Sequence, residues 1–274
     1  MPLTHTLVTA PGAQPKKWML FLHGLLGRGG NWRGIATRLV EARPDWGAVL
    51  VDLRKHGGSQ QGFRPPHTVA AAAEDLVTAS GLVPQGAIRA VLGHSFGGKV
   101  ALAYLAERAH TIETAWVIDA MPGATPEAAV SGSTRGVLAF LEGLPPSLPS
   151  REDLVARARA AGIDDAVGQW LATNLVREGE GFRLTLDLGA MRELHDDTLA
   201  TDLWSIVERP PGDATVHVVV GERSPVWSPE ERARLERAAR NTSRLKVHTL
   251  PAGHWVHVEQ PFVLVKLIEP SLSR

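Results

Sequence analysis

The chain has 274 residues, with 29 Lys and Arg against 29 Asp and Glu, so its formal net charge is zero. That length is enough for one large domain or two small ones, and 44% apolar with 21% charged residues excludes a disordered or fibrous chain. A neutral balance without a basic block argues against nucleic-acid or anionic-lipid partners, and the absence of cysteine excludes disulfides, thiolate metal sites and a cysteine nucleophile.

Short apolar runs recur along the chain, each followed by a turn and a helical stretch. Trp18–Leu22 leads into His23-Gly24 and a Gly-rich loop, then a helix from Asn31 to about Ala42. Ala48–Val51 ends at Asp52, and Val69–Ala79 reads as a helix. Ile88–Leu92 ends at Gly93, and Phe96–Arg108 places Val100, Ala101, Tyr104 and Leu105 on one helical face. Ala115–Ile118 ends at Asp119. Later, Thr215–Val220 ends at Gly221, Pro229–Arg240 reads as a helix, Leu245–Leu250 as extended chain, and Trp255–Leu272 as the closing helix. This alternation predicts an α/β fold, with a mainly parallel sheet covered on both faces and its chemistry at the carboxyl ends of the strands.

The interval from Pro122 to about Asp202 breaks the pattern. It holds a Pro-rich hinge (Pro145, Pro146, Pro149) and a capped helix from Ser150 to about Gly162. Asp164–Glu178 and Leu188–Asp196 read as further helices, separated by a Gly-Glu-Gly turn at 179–181. The expected division is a core of residues 1–121 and 203–274 with a helical cap of residues 122–202; helices merely packed on one side are the alternative. No apolar run is long enough to span a bilayer, and the first residues lack a signal-peptide pattern. The expectation is a soluble cytoplasmic protein without a membrane partner.

Gly93-His-Ser-Phe-Gly97 lies between a strand and a helix. There a Gly-x-Ser-x-Gly turn forces the central Ser95 into a strained backbone position at the sheet edge and at a helix N-terminus. The same letters fit a phosphate loop, Gly93 to Gly98-Lys99, with Asp119 as its acidic strand. Val100, however, stands where that loop needs a Ser or Thr for the metal. A serine nucleophile needs a base, an orienting group and oxyanion donors. Of the 11 histidines, His254 follows an extended segment and opens the last helix on the catalytic edge. His257 reads as structural or exposed, and His94 points away from its neighbour Ser95. His217 and His248 fall in strands, while His56 and His67 fall in a loop at the pocket mouth. The oxyanion donors are the backbone N–H groups of Phe96 and Leu25.

Phe21-Leu-His-Gly24, Asp52-Leu-Arg-Lys-His-Gly-Gly-Ser59, Gly93-His-Ser-Phe-Gly-Gly98 and Ala252-Gly-His254 resemble the α/β-hydrolase superfamily, in order and over nearly the whole chain. More narrowly, the second and third motifs resemble a branch of small esterases and thioesterases. In most of the superfamily the acid follows the strand corresponding to Thr215–Val220, but here Gly221-Glu-Arg-Ser-Pro carries Ser224 at that place, and a serine cannot serve. The branch resemblance implies Asp119, at the end of the strand after the elbow helix; Glu222, Glu230 or a cap acid are the alternatives.

The resemblance thus implies a Ser95–His254–Asp119 hydrolase acting on a small ester or thioester, with no metal or organic cofactor. Carbon–carbon hydrolysis, lactone opening, peracid formation, cyanohydrin cleavage and a weakly catalytic receptor remain alternatives. Ser95 excludes the carboxylate-nucleophile dehalogenases and epoxide hydrolases. His23 and Trp255 are the expected substrate contacts, and Trp32, Trp170, Leu171, Leu175 and Trp227 are further candidate liners.

Overall fold

A computed structural model describes residues 3–79, 81–125 and 133–272. The elements run β1 (His5–Val8), β2 (Lys17–Leu22), α1 (Arg33–Ala42), β3 (Trp46–Val51), α2 (Val69–Thr78), β4 (Ala87–His94), α3 (Phe96–Glu107) and β5 (Thr114–Ile118). Next come α4 (Ser133–Glu142), α5 (Arg151–Ala160), α6 (Asp165–Ala172), β6 (Leu175–Glu178), β7 (Gly181–Leu184), α7 (Leu188–Ala200) and α8 (Trp204–Glu208). The chain closes with β8 (Thr215–Gly221), α9 (Pro229–Asn241), β9 (Leu245–Leu250), α10 (Val256–Glu259) and α11 (Pro261–Ile268).

Seven strands form one sheet in the order β1-β3-β2-β4-β5-β8-β9, parallel except for β1, which pairs antiparallel with β3 at the edge. Both faces are buried, which is why the strands read as continuous apolar runs rather than alternating ones. Along β2, Trp18, Leu20 and Leu22 join the core beneath α2 and α3, while Met19 and Phe21 join the core beneath α1 and α11. The parallel strands bring the loops after β2, β3, β4, β5, β8 and β9 to one edge. Backbone bonds continue past the strand ends there: Ser95 N–H donates to Ile118 O at 3.0 Å and Asp119 N–H to Val219 O at 2.7 Å.

The predicted core elements are present, with ends moved by at most two residues. Three features differ. β1 lacks the alternating pattern that announces a strand, because both its ends are half-buried and its middle is exposed. The closing segment is two helices with a break at Gln260-Pro261. The predicted helix Asp164–Glu178 stops at Ala172; residues 175–178 instead pair with 181–184 in a hairpin whose turn holds Gly179 at φ 61°. Its outer residues are exposed, so a hairpin suits them as well as a helix would. Among its described residues the interval between β5 and α8 is therefore helical with one hairpin; residues 126–132 of the expected cap lie outside the described residues. Among the described residues, no helix is long and apolar enough to cross a membrane.

Candidate active site

Between β4 and α3, Ser95 adopts φ 53° and ψ −121°, a conformation that L-residues avoid unless the surroundings enforce it. The flanking glycines allow this. A Cβ on Gly93 would stand 1.9 Å from Gly97 O, and one on Gly97 2.5 Å from His23 O. Ser95 lines a chamber of about 570 Å³. Leu25 and Phe96 line it too, and among the described residues neither backbone N–H has a protein acceptor.

Asp119 follows β5 at φ 45°, fully buried. His254 Nδ1–H donates to its Oδ2 at 2.7 Å, Ser224 Oγ–H donates to the same oxygen at 2.5 Å, and Gly221 N–H donates to Oδ1 at 2.9 Å. Ser224 thus stands beside the carboxylate as a donor, while Glu222 and Glu230 are exposed. With Nδ1 engaged by Asp119, Nε2 is the His254 nitrogen left for a proton exchange in the chamber, which His254 also lines. His94 Nε2–H donates to His254 O at 2.9 Å, so it backs the base. His257 packs against His94 and Trp32, with ring centroids 4.4 and 4.8 Å away, and desolvation pushes it down to about 3.

The loop that presents Leu25 is braced from behind. Leu53 N–H donates to His23 Nε2 and Leu26 N–H to His56 Nε2, both at 3.0 Å. Each imidazole uses its Nδ1–H on a carbonyl, Gly24 O for His23 and Arg54 O for His56, both at 2.8 Å. Burial pushes His23 down to about 4 and His56 to about 3, so both are neutral acceptors at pH 7. Asp52 accepts from Gly29 N–H at 2.7 Å and Gly58 N–H at 2.8 Å. These contacts correct two expectations. His23 is turned into the fold and does not line the chamber, and His56 and His67 are buried and do not line it either.

Of the candidate liners, Trp170 and Trp255 face the chamber, in edge contact at 5.1 Å. Trp32 instead packs on Phe21, Trp227 on Trp204, and Leu171 and Leu175 are core residues. Val137, Phe140, Ile163 and Val167 add an apolar wall from α4 to α6. Among the liners that sequence reasoning did not place in the chamber are two basic side chains, Lys99 and His195. Lys99 Nζ donates to Gly123 O, Thr198 O and Thr201 O at 2.5–2.8 Å. Burial lowers it to about 8, still an ammonium at pH 7. The lysine that fitted a phosphate loop therefore spends its donors on carbonyls. Among the described residues, no group of three His, Asp or Glu is placed to hold a metal.

The profile of the alpha/beta hydrolase family matches residues 19–267. The chain is 30% identical over 271 residues to the sn-1-specific diacylglycerol lipase ABHD11 of Mus musculus, covering 95% of this chain and 82% of that protein. It is 28% identical to esterase YbfF of Escherichia coli (strain K12) over the full length of both. Among solved structures, a marine microorganism esterase superposes with a TM-score of 0.81 at 21% identity, covering 99% of each chain.

Proposed function

The chain belongs to the alpha/beta hydrolase family, and we propose that it is a serine hydrolase cleaving a carboxylic ester or acyl thioester of small or medium size. The observation that carries this reading is the 2.7 Å contact from Asp119 to His254 Nδ1, both of which line the same chamber as Ser95. The curated relatives support ester chemistry by name, a diacylglycerol lipase and an esterase.

In this mechanism His254 Nε2 takes the Ser95 proton as Oγ attacks the acyl carbon. Asp119 holds the imidazole in the required tautomer and stabilises its charged form. The N–H groups of Leu25 and Phe96 receive the oxyanion, each such donor being worth about 3–4 kcal/mol in the transition state. His254 then protonates the leaving alcohol or thiol, and water releases the acyl group from Ser95 by the same route. The apolar wall of Val137, Phe140, Ile163, Val167 and Trp170 suits a hydrocarbon acyl chain. Residues 122–202 act as a cap that supplies this wall to a core formed by the rest of the chain.

Turnover of p-nitrophenyl esters of increasing chain length tests the reading. We expect Ser95→Ala to abolish it and Asp119→Asn to lower kcat on the order of 10³–10⁴-fold, whereas Glu222→Gln stays within about twofold. Full activity in Ser95→Ala refutes the nucleophile. Loss in Glu222→Gln with survival in Asp119→Asn moves the acid to the exposed loop.

A further inference from the structure

α7 contributes to the chamber a histidine that the mechanism above does not use. His195 is only 6% exposed, and it lines the chamber together with Thr198 and Leu199 one turn further on. Its Nδ1 lies 3.4 Å from Asp196 Oδ1. Among the described residues its Nε2 has no protein partner, and because the ring lines the chamber and this nitrogen is not sealed in the core, it is open to a hydrogen bond from a ligand. The polar groups beside it are already engaged. Lys99 gives its three hydrogen bonds to carbonyls, and Thr198 Oγ–H donates to Leu194 O at 2.6 Å.

The direction of the missing hydrogen bond follows from the neighbours. The Asp196 carboxylate can only accept, so the proton of the neutral ring sits on Nδ1 and Nε2 presents a lone pair. Burial lowers the His195 pKa, with Asp196 opposing and Arg135 and Arg192 assisting, which favours that neutral ring at pH 7. An apolar ligand leaves this lone pair unpaired, whereas a hydroxyl donates to it.

We propose that His195 Nε2 is a specificity site that accepts a hydrogen bond from a substrate hydroxyl, so that the chamber selects esters retaining a free hydroxyl beyond the scissile bond. The site lies in the same chamber and rests on the hydrolase reading. The hydroxyl can belong to the alcohol part, as in a monoacylglycerol, or to the acyl part, as in a hydroxyacyl ester.

Matched pairs separate the two sources: monooctanoylglycerol against propyl octanoate, and ethyl hydroxyoctanoate against ethyl octanoate. The wild-type protein is expected to favour the hydroxylated member of one pair by about tenfold in kcat/KM. The preference should vanish for the corresponding methyl ether, which accepts but cannot donate. In His195→Phe the hydroxyl-to-plain ratio should fall to about one, and in His195→Gln, which restores an acceptor, it should be partly kept. Turnover of plain esters without preference in either pair overturns the hydroxyl site and leaves the hydrolase reading intact. Equal rates for hydroxyl and ether, or a ratio surviving in His195→Phe, also overturn it, and the ether comparison needs no variant to fold. No turnover of any ester by the wild type overturns the hydrolase reading, and the hydroxyl site with it.

Discussion

The carboxyl edge of the sheet and the helical segment above it hold their side chains in place by different physics. At the edge, backbone geometry leaves almost no choice. All four non-glycine residues with positive φ among the described residues, Leu26, Lys55, Ser95 and Asp119, lie in its loops. Strain of this kind persists only where the surroundings over-determine it, and His23, His56, Asp52 and Gly221 provide that through bonds to or from backbone groups. The segment from α4 to α7 instead offers the chamber mostly apolar side chains, carried on regular helices and a hairpin in which only glycines take positive φ among the described residues. The chemistry of acyl transfer tolerates no displacement, whereas an acyl pocket needs only shape and dryness. The edge should therefore break under single-atom changes that the segment above it absorbs.

Two glycines give the sharpest form of that contrast. A Cβ on Gly97 meets His23 O at 2.5 Å and Leu22 O at 2.6 Å, backbone atoms that cannot yield without moving β2 and the Leu25 loop. A Cβ on Gly136, inside α4, meets nothing within 4 Å. Gly97→Ala should cost at least about 4 kcal/mol and abolish ester turnover. Gly136→Ala should gain about 0.5–1 kcal/mol through helix propensity. Urea unfolding of the two variants measures both; a Gly97→Ala protein of near-native stability breaks the comparison.

Lys99 joins the two regions. It stands one turn into α3, a turn beyond Ser95, and binds Gly123 O on the chain leaving Asp119 together with Thr198 O and Thr201 O at the end of α7. Asp197 and Glu193 of α7 add bonds to the backbone N–H groups of Val69 and His67 in the core. Lys99→Met keeps the volume but leaves three buried or partly buried carbonyls without their donor. Relief of the buried ammonium offsets part of that loss. A net destabilisation of about 2 kcal/mol is expected, with protease sensitivity appearing first in α7. Unchanged stability with unchanged digestion means that α7 is held by its other contacts alone.

The same division governs what the sequence discloses. Gly93 and Gly97 around Ser95 are legible because a strand, a turn and a helix follow one another within a few residues, and the chemistry is local. Asp119 is legible because parallel strands deliver their ends to one edge, so the end of β5 falls beside the elbow. Ser224 shows only that the usual position is empty of an acid; its role as a donor to Asp119 needs the fold. His23 misleads, because a histidine in a strand-exit loop looks like a site residue until Leu53 N–H is found against it. Lys99 and His195 are illegible for a simpler reason. Lys99 meets Thr198 across 99 positions of sequence, and His195 faces a chamber assembled from most of the chain. The hairpin of β6 and β7 has as many apolar residues as a helix of that length, and only its pairing distinguishes it.

Acid should expose the contrast more gently than mutation does. His23 and His56 are neutral in the fold, at about 4 and about 3, while their unfolded value is near 6.5. Below pH 6.5 the unfolded chain binds protons that the native chain refuses, so stability falls as pH falls toward those folded values. Each histidine contributes a loss of up to about 1.4 kcal/mol per pH unit. Protonation also destroys the acceptors of Leu53 N–H and Leu26 N–H, the two bonds that hold the loop presenting Leu25. Hydrogen exchange, expressed as protection factors to remove the intrinsic pH effect, should show these two amides losing protection from about pH 6.5 down to about 4, as the opened loop takes up protons that the closed one refuses. Amides within α5, whose two buried residues are Leu154 and Ala158, should keep theirs. Parallel loss in both places makes acid a global unfolding agent here and denies the edge its separate sensitivity.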